Sequence, residues 1–197
     1  MGIPRIAHLR EQISWMYLPN PPGISHCKGF KYLMRICEGM IIAVSGTPGT
    51  GKTTIAKQLA EELGYAYVDV NKVIDEQELA EGYDEQRDCK IVDTEKLNAV
   101  LIRMIKQEKD LVIDSHLSHF LPKKYVDRCI ITICELPELK KRLEKRGYKA
   151  SKVRENLDAE IFDSIAEEAK ELGHEVFIID TTDGCNVKEL VQLLELE

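Results

Sequence analysis

The sequence predicts a doubly wound, parallel α/β sheet. Three observations carry that expectation. Apolar runs of strand length alternate with stretches of helical periodicity, a glycine-rich turn joins the first run to the first helix, and polar residues collect where the runs end. Ligands in such sheets sit at the carboxyl ends of the strands, and Ser45, Asp69, Asp114, Glu135 and Asp180 all fall at such ends.

The elements follow in order. Residues 40–45 have the length and β-branched content of a buried strand. A helix comes next, with Ile55, Ala56, Leu59 and Leu63 on one face, and Gly64 ends it. Residues 65–68 read as a short second strand. The stretch 69–92 is polar and acidic, with a helix-like piece over 73–80 and then GYDEQRDCKIVD. Asp93 or Thr94 is placed to cap a helix whose Leu97, Val100, Leu101, Met104 and Ile105 keep the spacing of one apolar face. Residues 111–114 form a strand closed by a carboxylate, and 128–134 a strongly apolar one. Pro137 opens the basic helix PELKKRLEKRG, which stops at Gly147. One long amphipathic helix is then expected, with Leu157, Ile161, Ile165, Ala169 and Leu172 inward, up to Gly173. Residues 176–179 make the fifth strand and 187–194 the last helix.

At 197 residues the chain is sized for one domain, with 44% hydrophobic and 31% charged residues. A net charge of −7 argues against general nucleic-acid binding, which relies on phosphate neutralisation. No apolar run reaches the ~20 residues that cross a bilayer, so no membrane association is expected. Six cysteines without a C-x-x-C pair or zinc spacing read as reduced thiols of a cytoplasmic protein. Residues 1–39 differ from the rest: they hold four of the seven prolines and the only tryptophan, and they carry +3 against −10 for the remainder. Three readings are open for them: a targeting peptide (no continuous apolar region or cleavage site supports it), a partner-binding arm, or a mis-assigned start with translation beginning at Met34 or Met40. All three leave them outside the core, poorly ordered.

The turn Gly46-Thr47-Pro48-Gly49-Thr50-Gly51-Lys52-Thr53 matches G-x-x-x-x-G-K-[ST] at every fixed position, with strand before and helix after. Such a P-loop wraps a nucleoside triphosphate in backbone N–H donors. Glycines permit the close approach, and the helix N-terminus adds its dipole. Lys52 is expected to reach the β- and γ-phosphates and the Thr53 hydroxyl to ligate Mg2+. Asp114 closes its strand as a Walker B acid would, near the metal and its waters. His116 follows in DSH, to orient a phosphate or a water, or to hydrogen-bond a loop; a His116/His119 metal pair lacks a third ligand. Asn71-Lys72-Val73-Ile74-Asp75 has one residue too many for a guanine-reading N-K-x-D, and the chain is too short for most motor ATPases. A small kinase fits better. The insertion over 69–92 lies where such kinases hold the acceptor, and Arg142, Arg146 and Arg154 bracket RGYKASKVRE, where they carry a closing lid. A lid arginine would stabilise charge developing on the transferred phosphoryl group, although Arg142 equally suits a solvated helix end.

GTPGTGKTT, EGYDEQRDC, the DSH strand end, LEKRGY and ENLDAEIFDSIAEEA, in this order and spacing, resemble the divergent adenylate kinase family, described in eukaryotes as a coilin-interacting nuclear ATPase. The resemblance spans residues 40–182. It implies a nucleoside monophosphate kinase fold with a five-stranded sheet ordered 2-3-1-4-5, and γ-phosphate transfer from ATP to AMP with some acceptor breadth. It also implies ATP hydrolysis and a role in small ribosomal subunit maturation through a ribosomal protein. By that likeness Gly49, Gly51, Lys52, Thr53 and Thr54 contact the ATP phosphates and Arg146 the ATP from a lid over 145–155. Residues 69–92 bind the monophosphate, and Asp114 and His116 form a D-x-H signature, with Mg2+ on Thr53 and, through water, on Asp114. Two positions depart from the family: Asp75 stands where eukaryotic members have an arginine, and 180–184 lacks a lysine beside the adenine. The alternatives are an ATPase assembly factor with little kinase activity, or a kinase of another small metabolite.

Overall fold

A computed structural model describes residues 39–195 apart from residue 86. The expectation for residues 1–39 therefore lies, but for its last residue, outside the described part. Five strands form the central parallel sheet: β1 (Ile41–Gly46), β2 (Ala66–Asp69), β5 (Leu111–Asp114), β6 (Arg128–Ile133) and β7 (Val176–Asp180). Their spatial order is β2-β5-β1-β6-β7, which is the expected 2-3-1-4-5 when the sheet strands alone are counted. β1 is buried along its whole length, as its unbroken apolar run requires for a central strand covered on both faces.

One face of the sheet is covered by α1 (Lys52–Leu63) and α7 (Val187–Glu195). There Ile42, Val44, Val112 and Ile130 meet Ile55, Leu59, Leu190 and Leu194. On the other side Ile41, Ile113 and Leu111 pack with Leu97 and Leu101 of α3 (Thr94–Gln107) and with Val73 and Ile74 of α2 (Val70–Glu76). Asp93 is the α3 cap; its carboxylate accepts from Glu95 N at 2.8 Å and Lys96 N at 3.2 Å. α4 (Leu136–Lys145) carries the expected Pro137 in its first turn and turns out through Gly147 at φ 75°.

Two elements differ from the sequence reading. The polar stretch before Asp93 contains an antiparallel hairpin, β3 (Ala80–Asp84) and β4 (Cys89–Val92), set apart from the main sheet. Almost all its side chains are exposed, so no in–out alternation marked the strands. The single long helix is two, α5 (Ala150–Ile161) and α6 (Ser164–Glu171), broken where Asp163 takes φ 49°. The break turns Ile161 outward, and Leu172 beyond α6 is exposed as well, whereas Ala169 is fully buried. Asp tolerates the left-handed region better than most residues, so the break needs no Gly or Pro and leaves no strong signal in the sequence. No helix among the described residues is long and apolar enough to cross a membrane.

Candidate functional site

The β1–α1 turn is shaped by its glycines. Gly46 has φ 138°, and a Cβ there would lie 2.4 Å from the Thr132 carbonyl oxygen; at Gly49, φ 100°, it would meet Leu139 at 2.8 Å. Neither position tolerates a side chain. α1 starts at Gly51 with no side-chain cap and no acidic residue in its first turn. Its leading N–H groups and positive dipole end therefore face the space where the exposed Thr53 and Thr54 lie. Lys52 Nζ donates to the Thr47 carbonyl at 2.9 Å, so the ammonium rests on its own loop. Burial pushes its pKa down to about 8; Arg146 adds to that, while Asp114 and Glu160 oppose it.

Asp114 is buried at the end of β5, in register with Val44 of β1 and Asp69 of β2. Its Oδ2 accepts from the Tyr67 hydroxyl at 2.8 Å. Burial and that hydrogen bond push the Tyr67 phenol well above its usual range. Tyr67 orients the carboxylate, and sequence reasoning missed it because its partner lies 47 residues away on a neighbouring strand. His116 keeps an exposed edge two residues past Asp114. The protein packed around it, then the charges of Lys52, His119 and Lys152, hold its imidazole down at about 4, so it is neutral at pH 7.

His119 has a different task. Its Nδ1 is 2.9 Å from Ser45 Oγ and its Nε2 is 3.1 Å from Glu168 Oε2. The order Ser–His–Glu is that of a nucleophilic triad. Ser45 is fully buried, however, so no substrate reaches its hydroxyl and the chain of bonds braces β1 against α6.

The three arginines around the expected lid separate. Arg146 caps α4, is exposed, and has no ion-pair partner among the described residues. Arg142 is committed to structure: Nη2 donates to the carbonyls of Thr181 and Thr182 at 2.9 Å each, and Nε to Glu138 at 3.0 Å. The Thr181 hydroxyl in turn donates to the Thr50 carbonyl, which ties the β7–α7 loop to the P-loop. Arg154 pairs with Asp158 one turn along α5 and takes no part in the site. A cleft of about 630 Å³ opens between the P-loop and the β7–α7 loop, lined by Gly51, Thr54, Gln58, Arg146, Thr181 and Cys185. That is the size of a small-molecule site. In the 69–92 segment Asp75, in α2, pairs with Lys90 of β4. The hairpin tip reaches α5 through Arg87 to Glu155 at 3.3 Å and Lys152 to Asp88.

A Mg2+ ion fits this donor set. The Thr53 hydroxyl is free at the helix start, and Asp114 keeps an oxygen beyond the one that Tyr67 engages. Few protein oxygens suit an ion that retains most of its waters.

Fold and site together define a P-loop nucleotide-binding protein of the doubly wound α/β class. The family model described as AAA domain matches residues 42–163. A Methanocaldococcus jannaschii protein named "Putative adenylate kinase" is 41% identical over 144 residues, covering 73% of this chain and 78% of its own. The "Adenylate kinase isoenzyme 6 homolog" of Caenorhabditis elegans is 37% identical over 131 residues, 66% of this chain and 72% of that one. Shikimate kinase from Acinetobacter baumannii shares the fold, with a TM-score of 0.56 at 16% identity over 80% of this chain and 92% of its own. The chain belongs to the adenylate kinase family of the Methanocaldococcus jannaschii and Caenorhabditis elegans proteins, as its motifs led one to expect, and its core carries the AAA description.

Proposed function

We propose that the protein is a nucleoside monophosphate kinase that transfers the γ-phosphate of ATP to AMP. The observation that carries this reading is the meeting, at one end of the sheet, of a P-loop lysine resting on its own loop, a braced carboxylate at Asp114 and a neutral His116. An arginine, Arg146, stands at the mouth with its charge uncommitted. In this reading the amides of Gly49, Gly51, Lys52, Thr53 and Thr54 grip the triphosphate, and Lys52 leaves Thr47 for the β- and γ-phosphates. Thr53 and, through water, Asp114 hold Mg2+, which would neutralise phosphate charge. Arg146 folds onto the transferring group from the 145–155 segment and excludes water. Neutral His116 positions the acceptor phosphate or a water by a hydrogen bond rather than by charge. The segment 69–92, hairpin included, holds the monophosphate.

A second reading, an ATPase that assists small ribosomal subunit maturation by engaging a ribosomal protein, is supported by the exposed apolar Tyr83 and Ile91 on that hairpin. A coupled assay for ADP with AMP, CMP, UMP or no acceptor separates the two. AMP-dependent ADP formation, abolished in Lys52→Met, supports the kinase. ATP binding with hydrolysis indifferent to AMP but stimulated by a ribosomal protein would replace it. Turnover only with some other small acceptor would redirect the assignment to that metabolite.

A further inference from the structure

Behind the P-loop lies a pair of threonine hydroxyls that takes no part in the proposed chemistry. Thr50 and Thr132 are fully buried, and their Oγ1 atoms stand 2.7 Å apart. Thr132 comes from β6, in register with Gly46 at the end of β1. Gly46 makes room for both: a Cβ there would lie 2.6 Å from Thr132 Oγ1 and 3.1 Å from Thr50 Oγ1. A buried hydroxyl is costly unless it is hydrogen-bonded, so its partners decide what it is for.

Counting protons gives the pair a direction. Thr50 Oγ1 reaches the Thr47 carbonyl at 2.8 Å, and Thr132 Oγ1 reaches the Ser45 carbonyl at 3.3 Å. Each hydroxyl has one proton to give. If Thr50 donates to Thr47, Thr132 donates to Thr50, and both bonds are short. The reverse order ends on the long contact to Ser45, beyond the usual O–H···O range. The bonds therefore run from Thr132 to Thr50 to the Thr47 carbonyl.

That carbonyl is the one on which Lys52 rests. It collects three donors: Lys52 Nζ at 2.9 Å, Thr50 Oγ1 at 2.8 Å and Thr50 N at 3.2 Å. When a triphosphate draws Lys52 away, the two donors of Thr50 remain. Thr50 is itself held from two sides, by Thr132 at its hydroxyl and by the Thr181 hydroxyl at its carbonyl. The loaded loop thus leans on the hydroxyl pair more than the empty one does.

We infer that Thr132, acting through Thr50, is a positioning residue of the nucleotide site: the two hydroxyls keep the Thr47 carbonyl, and with it the P-loop amides, in place once Lys52 has left for the phosphates. This deepens the reading of the cleft as an ATP site and rests on that reading, but not on which acceptor is used. Hydroxyls that merely fill the core between β1 and β6 would bear on stability and leave ATP affinity alone.

Calorimetric titration of the full chain with Mg2+-ATP, without acceptor, tests it, with thermal unfolding of each variant alongside. Thr132→Val keeps the shape and removes the hydroxyl. It is expected to weaken binding about fivefold, as the loss of one hydrogen bond from the loaded state would. Thr132→Ser keeps the hydroxyl and should stay within about twofold of the unaltered chain, even where losing the methyl lowers its melting temperature. Thr50→Val should lose at least as much as Thr132→Val, and the double variant little more than Thr50→Val, since one residue acts through the other. Full affinity in Thr132→Val overturns the inference, as do an equal loss in Thr132→Ser or losses that add in the double variant. If Thr132→Val does not fold, Thr50→Val against Thr50→Ser makes the same comparison. Absence of ATP binding by the unaltered chain would instead remove the nucleotide reading itself.

Discussion

Lys52 shows how one residue carries both the recognition and its pH limit. Its ammonium is held on Thr47 in a setting where burial lowers the pKa from 10.5 to about 8. Between those values the folded, ligand-free chain has lost a proton that a solvated lysine would keep. A triphosphate binds the charged form. ATP affinity should therefore be complete below about pH 8 and fall by up to about tenfold per pH unit above it, until the raised pKa of the complex is reached. Titrations between pH 7 and 9.5 check this, and Lys52→Met should bind weakly with no such slope. The lysine's place at the start of α1 was legible in the sequence because the motif is contiguous and its neighbours are fixed by backbone geometry. Tyr67, Glu160 and Arg142 were not legible in their actual contacts. Each bonds a partner brought near by strand pairing or helix packing, 47, 26 and 39 or 40 residues away.

Among the elements, those built on a strong local rule matched their expectation. β1 is a continuous apolar run, and α3 has an aspartate cap followed by an apolar stripe. Asp93→Ala should remove two capping bonds and cost about 1 kcal/mol, lowering the melting temperature by about 3 °C with no change in ATP affinity. Thermal unfolding followed by circular dichroism measures it. The β3–β4 hairpin and the α5–α6 break were illegible for opposite reasons. The hairpin's strands bury nothing, so hydrophobic periodicity had nothing to report. Across the break the apolar spacing runs on, and only a single left-handed Asp163 interrupts it.

For the molecule as a whole, the β3–β4 hairpin and α5 meet through charges of reciprocal sign, Arg87 with Glu155 and Lys152 with Asp88. Exposed pairs of this kind are each worth about 0.2–1 kcal/mol. Arg87→Glu should therefore raise the acceptor KM about two- to fourfold while the ATP KM stays put, and adding Glu155→Arg should restore it. Steady-state kinetics on the single and double charge reversals give the answer, and an unrestored double variant would rule out a direct pairing. The arrangement around Arg142 bears on where this protein can be cut. The family match ends at residue 163, yet one wall of the cleft is built from Thr181, Gly184 and Cys185, with Thr181 held by Arg142 and latched onto Thr50. A fragment trimmed to the matched span would retain the whole P-loop and still lack the wall that Thr181, Gly184 and Cys185 supply. The loop that would hold a phosphate and the wall that would enclose the rest of the nucleotide thus come from opposite ends of the described chain, the second from the 34 residues past the matched span.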